Sequence, residues 1–278
     1  MHAGEVTVPS RDRLRTERAE RIAQQLLSGG GAGSVTAYRL EGQPTLDAIA
    51  HGVASDGSLV IAAIVERDTP VIAPAPVDVR LDVTKEAPEL DVRIVAASAH
   101  LLGTLRWLPP LDASDAAAVD RFPEHIAEIA MAPGGRVAVL HATSALVHES
   151  AGVTRVSVQR ACEGVRAASH DRTLEQAQAM LDLARATDRD QLSLIADGVI
   201  GGYRRGRVLT EKPTAGVCTA ALGKTFVIDV DAHGLTLMHI GEQQTTVVLA
   251  LFGAEALEQE QGTTVERCRA NLGRLLAA

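Results

Sequence analysis

Alternation of apolar and polar positions is clearest between Phe226 and Phe252, FVIDVDAHGLTLMHIGEQQTTVVLALF. With a period of two, Phe226, Ile228 and Val230 fall on one side and Val227, Asp229 and Asp231 on the other. Closing the turn at Ala232-His233, with Asp231 opposite Gly234, pairs Val230 with Leu235, Ile228 with Leu237 and Phe226 with His239. The pattern predicts a three-stranded meander with His239 on its apolar face, beside Phe226. The run Thr246 to Phe252 is almost wholly apolar, as in a strand covered on both faces. Thr263 to Leu276 then reads as a closing helix with Val265, Leu272 and Leu276 on one stripe.

Upstream, Arg11 to Ser28 is an amphipathic helix stopped by Gly29-Gly30-Gly31. Ser34 to Leu40 is the first candidate strand. Ile49 to Ala54 and Ser58 to Ile64 flank Asp56-Gly57, a hairpin signal that implies a type I′ turn. Thr69 to Pro76 carries three prolines and is a connection, and Val77 to Val83 then alternates as VDVRLDV. Val92 to Trp107 is long enough for a bent strand, with a bulge expected at Gly103. Pro123 suits a first helical turn and divides the next stretch into helices over Ser114 to Arg121 and Pro123 to Ala132. Arg136 to His141, Ala145 to His148 and Thr154 to Ser157 return to strand, and Val158 to Arg166 to helix. Short antiparallel strands with one helical excursion point to a closed or partly closed barrel. From Thr173 the period changes, with helices over Thr173 to Thr187 and Arg189 to Ile200. The expected class is α+β, an antiparallel split β-barrel over 1–170 followed by a smaller α/β domain over 171–278, with the boundary near Ser169 to Arg172.

Length and composition narrow the function classes. A chain of 278 residues, 46% hydrophobic, suits about two domains with ample core. Its longest apolar runs fall far below the roughly 18 residues that span a bilayer, and Met1 to Arg18 is charged, so a cytoplasmic protein with no membrane partner is expected. A net charge of −8 and an aromatic content of 2% argue against nucleic-acid binding, which needs positive patches and stacking platforms. Cys162, Cys218 and Cys268 match neither a zinc site nor a disulfide framework and read as small buried hydrophobes. Arg204, Arg205 and Arg207 form the one basic cluster, in GGYRRGR, which reads as a solvated loop able to hold a carboxylate.

Three stretches carry a family likeness: IAHGVASDGSLVIAAIV from Ile49, RFPEHIAEIA from Arg121 with RVAVLHATSALVHESAGVTRV from Arg136, and Leu174 to Ala278 with its hairpin around VDAHG. In this order they resemble the flavin-binding split-barrel superfamily (the pyridoxamine-phosphate oxidase fold). The likeness is to the branch with an appended C-terminal α/β domain that includes the HugZ-type haem-utilisation proteins. The resemblance implies a homodimer that binds haem and takes part in haem-iron utilisation, with oxidative opening of the porphyrin if it is catalytic. It also leaves open an FMN-dependent oxidoreductase, or a non-enzymatic dimeric module that has lost the cofactor. This sequence departs from the family at two places. Only Arg67 and Thr69 of AAIVERDT could hold a flavin phosphate, and ATDRDQL, from Ala186, lacks the histidine of the family's Asn/Asp-His pattern.

No metal-ligand signature stands among the nine histidines. His233 and His239, six residues apart along a strand, would be separated by roughly 20 Å. His141 and His148 are an odd number apart and would face opposite sides of a shared strand. No dedicated metal site is therefore expected. A haem iron needs only one protein ligand and an apolar cleft, so His239 and His233 are the candidate axial ligands, and Arg204, Arg205 and Arg207 the candidate partners of the propionates. The plain structural alternatives stay open: for His239 a core imidazole satisfied by a carbonyl, for His233 a turn residue. His51, His100 and His125 have no partner legible in the sequence, and no Ser-His-Asp order has supporting motif context.

Overall fold

One strand long enough to serve two neighbours on the same edge closes the first sheet into a barrel. The computed structural model describes residues 11–66, 69–73, 75–89, 91–111, 116–168, 174–231, 233–253 and 264–277. Strands β1 (Ala32–Thr36), β2 (Thr45–Val53), β3 (Leu59–Ile64), β4 (Val77–Glu86), β5 (Val95–Trp107), β6 (Gly135–Glu149) and β7 (Gly152–Ser157) lie in the order β3-β2-β1-β4-β5-β6-β7, with β3 also paired to β6. Residues 135–140 of β6 pair with β3 and complete a six-stranded antiparallel barrel, while residues 144–149 pair with β7 instead. This is the expected split-barrel, α+β architecture.

The chain divides into two compact units, one of residues 1–84 and 97–170, the other of 85–96 and 171–278. The boundary expected at 169–172 lies outside the described residues.

In the first unit Val35, Ile61, Leu81, Leu101 and Leu105 are buried in the barrel core. Helices α1 (Arg11–Leu27) and α4 (Val158–Ala167) join that core through Ile22, Leu26, Leu27, Cys162 and Val165. After the short helix α2 (Ala116–Asp120), α3 (Glu124–Met131) covers the outside of β3 and β6, where Ile126 and Phe122 pack with Val60, Ala62, Val137 and Val139. Strand β3 is thus buried on both faces, which its unbroken apolar run requires.

The Asp56-Gly57 hairpin is not type I′. Only Gly57 has a positive φ, and Gly57 N–H donates to the Ala54 carbonyl at 2.8 Å while Ala54 N–H donates to the Ser58 carbonyl. That is a type I turn followed by a left-handed glycine, and Asp56 keeps an ordinary backbone by accepting from Ser58 N–H through its side chain at 2.9 Å. β6 is also continuous where two separate strands were expected. Its pairing with β5 slips between Leu101↔Ala145 and Gly103↔Ala142, leaving an extra residue on β6. A Cβ on Gly103 would lie 2.4 Å from the His141 carbonyl oxygen, so the close approach there requires glycine. The slip inverts the side-chain phase: Leu140 and Ala142 face inward before it, Ala145 and Val147 after it. His141 and His148 therefore both point outward, against the expectation from their odd spacing.

In the second unit α5 (Leu174–Arg185), α6 (Arg189–Ile200) and α7 (Thr264–Ala277) pack on the sheet β8 (Gly206–Pro213), β9 (Thr225–Asp231), β10 (Gly234–Ile240) and β11 (Gln244–Leu251), in the order β8-β11-β10-β9. The meander gains a fourth strand, β8, which pairs with β11 and takes in Gly206 and Arg207, the last two residues of the GGYRRGR stretch expected to be a solvated loop. On the other face, residues 85–96 place Ala87, Ile94 and Ala96 over Ile228 and Met238. From the same segment Glu89 accepts from Val227 N–H on the edge strand at 2.9 Å, and Lys85 pairs with the buried Asp229 at 2.7 Å.

Candidate functional site

A bulge in β9 sets the surroundings of His239. Val230 pairs with Leu235 as expected, but the register slips by one at Ile228, so Leu237 faces Val227, Met238 faces Phe226, and His239 faces Thr225. Phe226 is therefore not the neighbour of His239. The cause is that β9 is apolar on both faces: Val227 and Val230 go under the helices, and Ile228 under the 85–96 segment. Strict alternation cannot satisfy both, and the bulge does.

His239 follows Leu235 and Leu237 on the helix-covered face and is half-buried. Its Nδ1 lies 3.0 Å from Thr225 Oγ1, and Thr225, 1% exposed, in turn accepts from Ser193 Oγ of α6 at 2.9 Å. Nδ1 is thereby fixed by a hydroxyl relay anchored in a helix, while Nε2 has no hydrogen-bond partner among the described residues. At this end of the sheet Leu194, the residue after Ser193, is 64% exposed, and Leu222 is 37% exposed. Gly223 N–H donates to the Ile240 carbonyl at 2.7 Å and Ile240 N–H to the Lys224 carbonyl at 3.0 Å, which ties the segment carrying Leu222 and the exposed Lys224 to the end of β10.

The other residues singled out from the sequence do not converge on this place. His233 sits in the turn at the opposite end of β10. Its N–H donates to Asp231 Oδ1 at 2.8 Å and its carbonyl accepts from Phe252 N–H at 2.9 Å, a turn role. Arg204 lays its stem over Gly198 and donates from Nη1 to the Leu275 carbonyl in the last turn of α7, closing a helix end rather than facing solvent. Arg205 is exposed, and its carbonyl accepts from Leu251 N–H at 3.0 Å. Arg207 is exposed on β8 opposite Leu249, and since the adjacent Val208 packs under the helices, Arg207 points to the face away from His239. Of the two residues proposed for a flavin phosphate, Arg67 lies outside the described residues and Thr69 donates its N–H to the Glu66 carbonyl in a turn. Asp188 of ATDRDQL caps α6, its Oδ1 accepting from Asp190 N–H at 2.9 Å.

Two further histidines belong to the first unit's packing. His51, 1% exposed, places Nε2 2.6 Å from the Leu26 carbonyl, and His125 Nε2 lies 3.0 Å from the His51 carbonyl. Burial, aided by the proximity of His125, lowers the His51 pKa to about 4. Cys162 and Cys268 are buried, with thiol pKa values raised by that burial to about 11, but Cys218 is exposed, contrary to the expectation for all three. Among the described residues no group of three or more His, Cys, Asp or Glu side chains could hold a metal ion, and no helix is long and apolar enough to cross a membrane.

Thr225 and Ser193 were missed in the sequence because a hydroxyl serving an imidazole has no spacing signature. A second group was missed for the same reason: Asp82, Ser98, His100 and His148, brought together by three neighbouring strands.

No protein-family model matches the chain, and no curated protein is similar to it. Among solved structures the chain is similar to a heme binding protein from Mycobacterium smegmatis, at 15% identity over 98% of both chains with a TM-score of 0.46. It is also similar to a protein of unknown function from Agrobacterium tumefaciens, at 14% identity over 99% of this chain and 100% of that one with a TM-score of 0.37.

Proposed function

We propose that this protein binds haem, with His239 as the axial ligand. The observation that carries the reading is the restraint on one ring nitrogen: Nδ1 lies against Thr225, itself held by Ser193, and Nε2 remains without a hydrogen-bond partner among the described residues. Metal-binding imidazoles are characteristically oriented in this way, with the second nitrogen tied to a fixed polar group. Haem requires one such nitrogen beside apolar surface, and Leu194 and Leu222 supply exposed apolar area at that end of the sheet. When bound, the haem iron would supply redox and ligand-exchange chemistry. The protein's part is to orient the imidazole through Nδ1, leave Nε2 open to a ligand, and offer Lys224 as a cation for a propionate. The split-barrel fold, which this chain shares with haem-utilisation proteins by the resemblance of its motifs, supports the same reading.

Haem titration followed at the Soret band tests the proposal. Wild type should saturate at one haem per chain, and His233→Ala should behave the same, because that residue lies at the opposite end of β10 and its turn bonds are made by its backbone. His239→Ala should lose the ligated spectrum. Thr225→Val should retain the ligand but weaken binding about 10- to 100-fold, the usual effect of removing a supporting hydrogen bond. A wild-type titration without saturation, or a His239→Ala spectrum identical to wild type, would refute it.

A further inference from the structure

We propose that His100 and His148 form a binding site for a divalent late transition-metal ion, zinc or copper(II), on the outer face of the barrel. The two residues are 48 apart in sequence and meet only because β5 and β6 pair. Ala99 and Leu101 face the barrel core, so Ser98 and His100 face out. Val147 faces in and His148 out, and Leu81 and Val83 face in while Asp82 faces out. Ser98 stands directly across from His148, which makes His100 its diagonal neighbour. The two rings meet edge to face, with centroids 4.9 Å apart.

The protonation of His100 follows from its partners. Asp82 accepts from Arg80 Nε at Oδ2, 2.7 Å, and its Oδ1 lies 2.6 Å from His100 Nδ1. A carboxylate paired with an arginine only accepts, so Nδ1 of His100 carries the proton and the lone pair of the neutral ring sits on Nε2. Among the described residues the hydrogen-bond partner of Nε2 is the Ser98 hydroxyl at 3.4 Å, a donor easily displaced. A carboxylate behind Nδ1 with a bare Nε2 in front is the arrangement that supports histidine ligands in zinc sites. His148 is exposed, with no hydrogen-bond partner among the described residues, so its ring is free to turn.

The spacing also fits. Two imidazoles on one ion, at about 2.1 Å per bond and ligand angles of roughly 90 to 110 degrees, have ring centroids about 4.6 to 5.4 Å apart. The observed 4.9 Å lies within that window, so the pair can close on an ion without moving the strands. Imidazole nitrogen selects zinc and copper over magnesium and calcium. With no third side chain converging among the described residues, water would complete the coordination.

The test uses untagged, haem-free protein titrated with Zn2+ alone by calorimetry, and with Cu2+ by electron paramagnetic resonance. One saturable Zn2+ per chain is expected. His100→Ala and the exposed-site variant His148→Gln should each weaken it at least about tenfold, and Asp82→Asn should weaken it about 10- to 100-fold. His141→Ala and His239→Ala should leave it unchanged, which separates this site from the haem site. The copper spectrum should show nitrogen hyperfine structure from two imidazoles, falling to one in His148→Gln. Absence of saturable binding, or binding undiminished in a His100→Ala/His148→Gln double variant that keeps the wild-type Trp107 fluorescence, would overturn the proposal.

Discussion

Acidification should destabilise the barrel through His51 before its carboxylates are fully protonated. The ring is 1% exposed, bonded through Nε2 to the Leu26 carbonyl, and its Nδ1 has no hydrogen-bond partner. Burial lowers its pKa from 6.5 to about 4, the Leu26 hydrogen bond opposing and the nearby His125 assisting. A depressed histidine pKa means that the unfolded chain takes up a proton which the folded chain refuses, so stability is intact above about pH 6.5 and falls until about pH 4. At roughly 1.4 kcal/mol per pH unit the full loss is about 3 kcal/mol, and about 2 kcal/mol of it is reached by pH 5. The chain has a single tryptophan, and Trp107 lies in the barrel with Nε1 donating to the Val71 carbonyl at 2.9 Å, so its fluorescence reports on this unit. Urea unfolding of wild type and of His51→Gln, compared at pH 7, 6, 5 and 4.5, isolates the residue, because other titrating groups are common to both. The stability difference should shift in favour of His51→Gln by about 2 kcal/mol between pH 7 and pH 5. A difference that does not change with pH would refute the assignment of a neutral, proton-excluding imidazole.

The remaining predictions concern packing and pairing. Gly103→Ala, whose Cβ would meet the His141 carbonyl at 2.4 Å, should destabilise the barrel by about 1–3 kcal/mol in the same fluorescence assay. Arg204→Ala should loosen the end of α7 at a cost of about 1 kcal/mol, seen as faster amide exchange near Leu275, with no change in haem affinity. Asp229→Ala removes the carboxylate that pairs with the half-buried Lys85 and should cost about 1–3 kcal/mol by thermal melting, whereas Lys85→Met with Asp229→Leu should recover most of that loss.

The barrel was legible because its strands are bounded by strong local signals. The Asp-Gly hairpin, the Pro-rich connection, the VDVRLDV alternation and Pro123 each act within a few residues and appear where the sequence placed them. What the sequence missed depends on contacts across the fold. Alternation at Phe226 assumed one buried face. The 85–96 segment covers the other, and the bulge at Ile228 that reconciles them moves His239 from Phe226 to Thr225. GGYRRGR reads as a solvated loop because of its glycines and charges, yet its last two residues begin β8, an edge strand that tolerates charge while its backbone pairs with β11. The arginine cluster suggested a shared site, but backbone direction sends Arg204 to a helix end and Arg207 to the opposite face.

Comparing the histidines by what holds each ring separates structural from chemical roles better than exposure does. His51 and His125 each lie with Nε2 against a backbone carbonyl, and the second nitrogen of His51 is walled in beside Gly33, where a Cβ would approach it to 3.1 Å. A lone pair in that position meets no ligand, and its only consequence is a refused proton. His239 and His100 are held through Nδ1 by side chains, a hydroxyl and a carboxylate, and both sit where Nε2 has no strong partner among the described residues. A side chain that fixes Nδ1 makes orientation independent of the ligand, so the ordering entropy of the ring is already spent before a metal arrives. The two supports differ in charge, which has a chemical consequence. The carboxylate behind His100 adds negative charge beside the ring and favours a bare divalent ion there, while the neutral hydroxyl behind His239 adds none and would suit an iron whose charge a porphyrin already offsets. Exchanging the supports should therefore exchange the preferences. Thr225→Asp should strengthen binding of a bare divalent ion at His239, and if it leaves both haem and divalent-ion affinity untouched, the hydroxyl relay does not govern that ring.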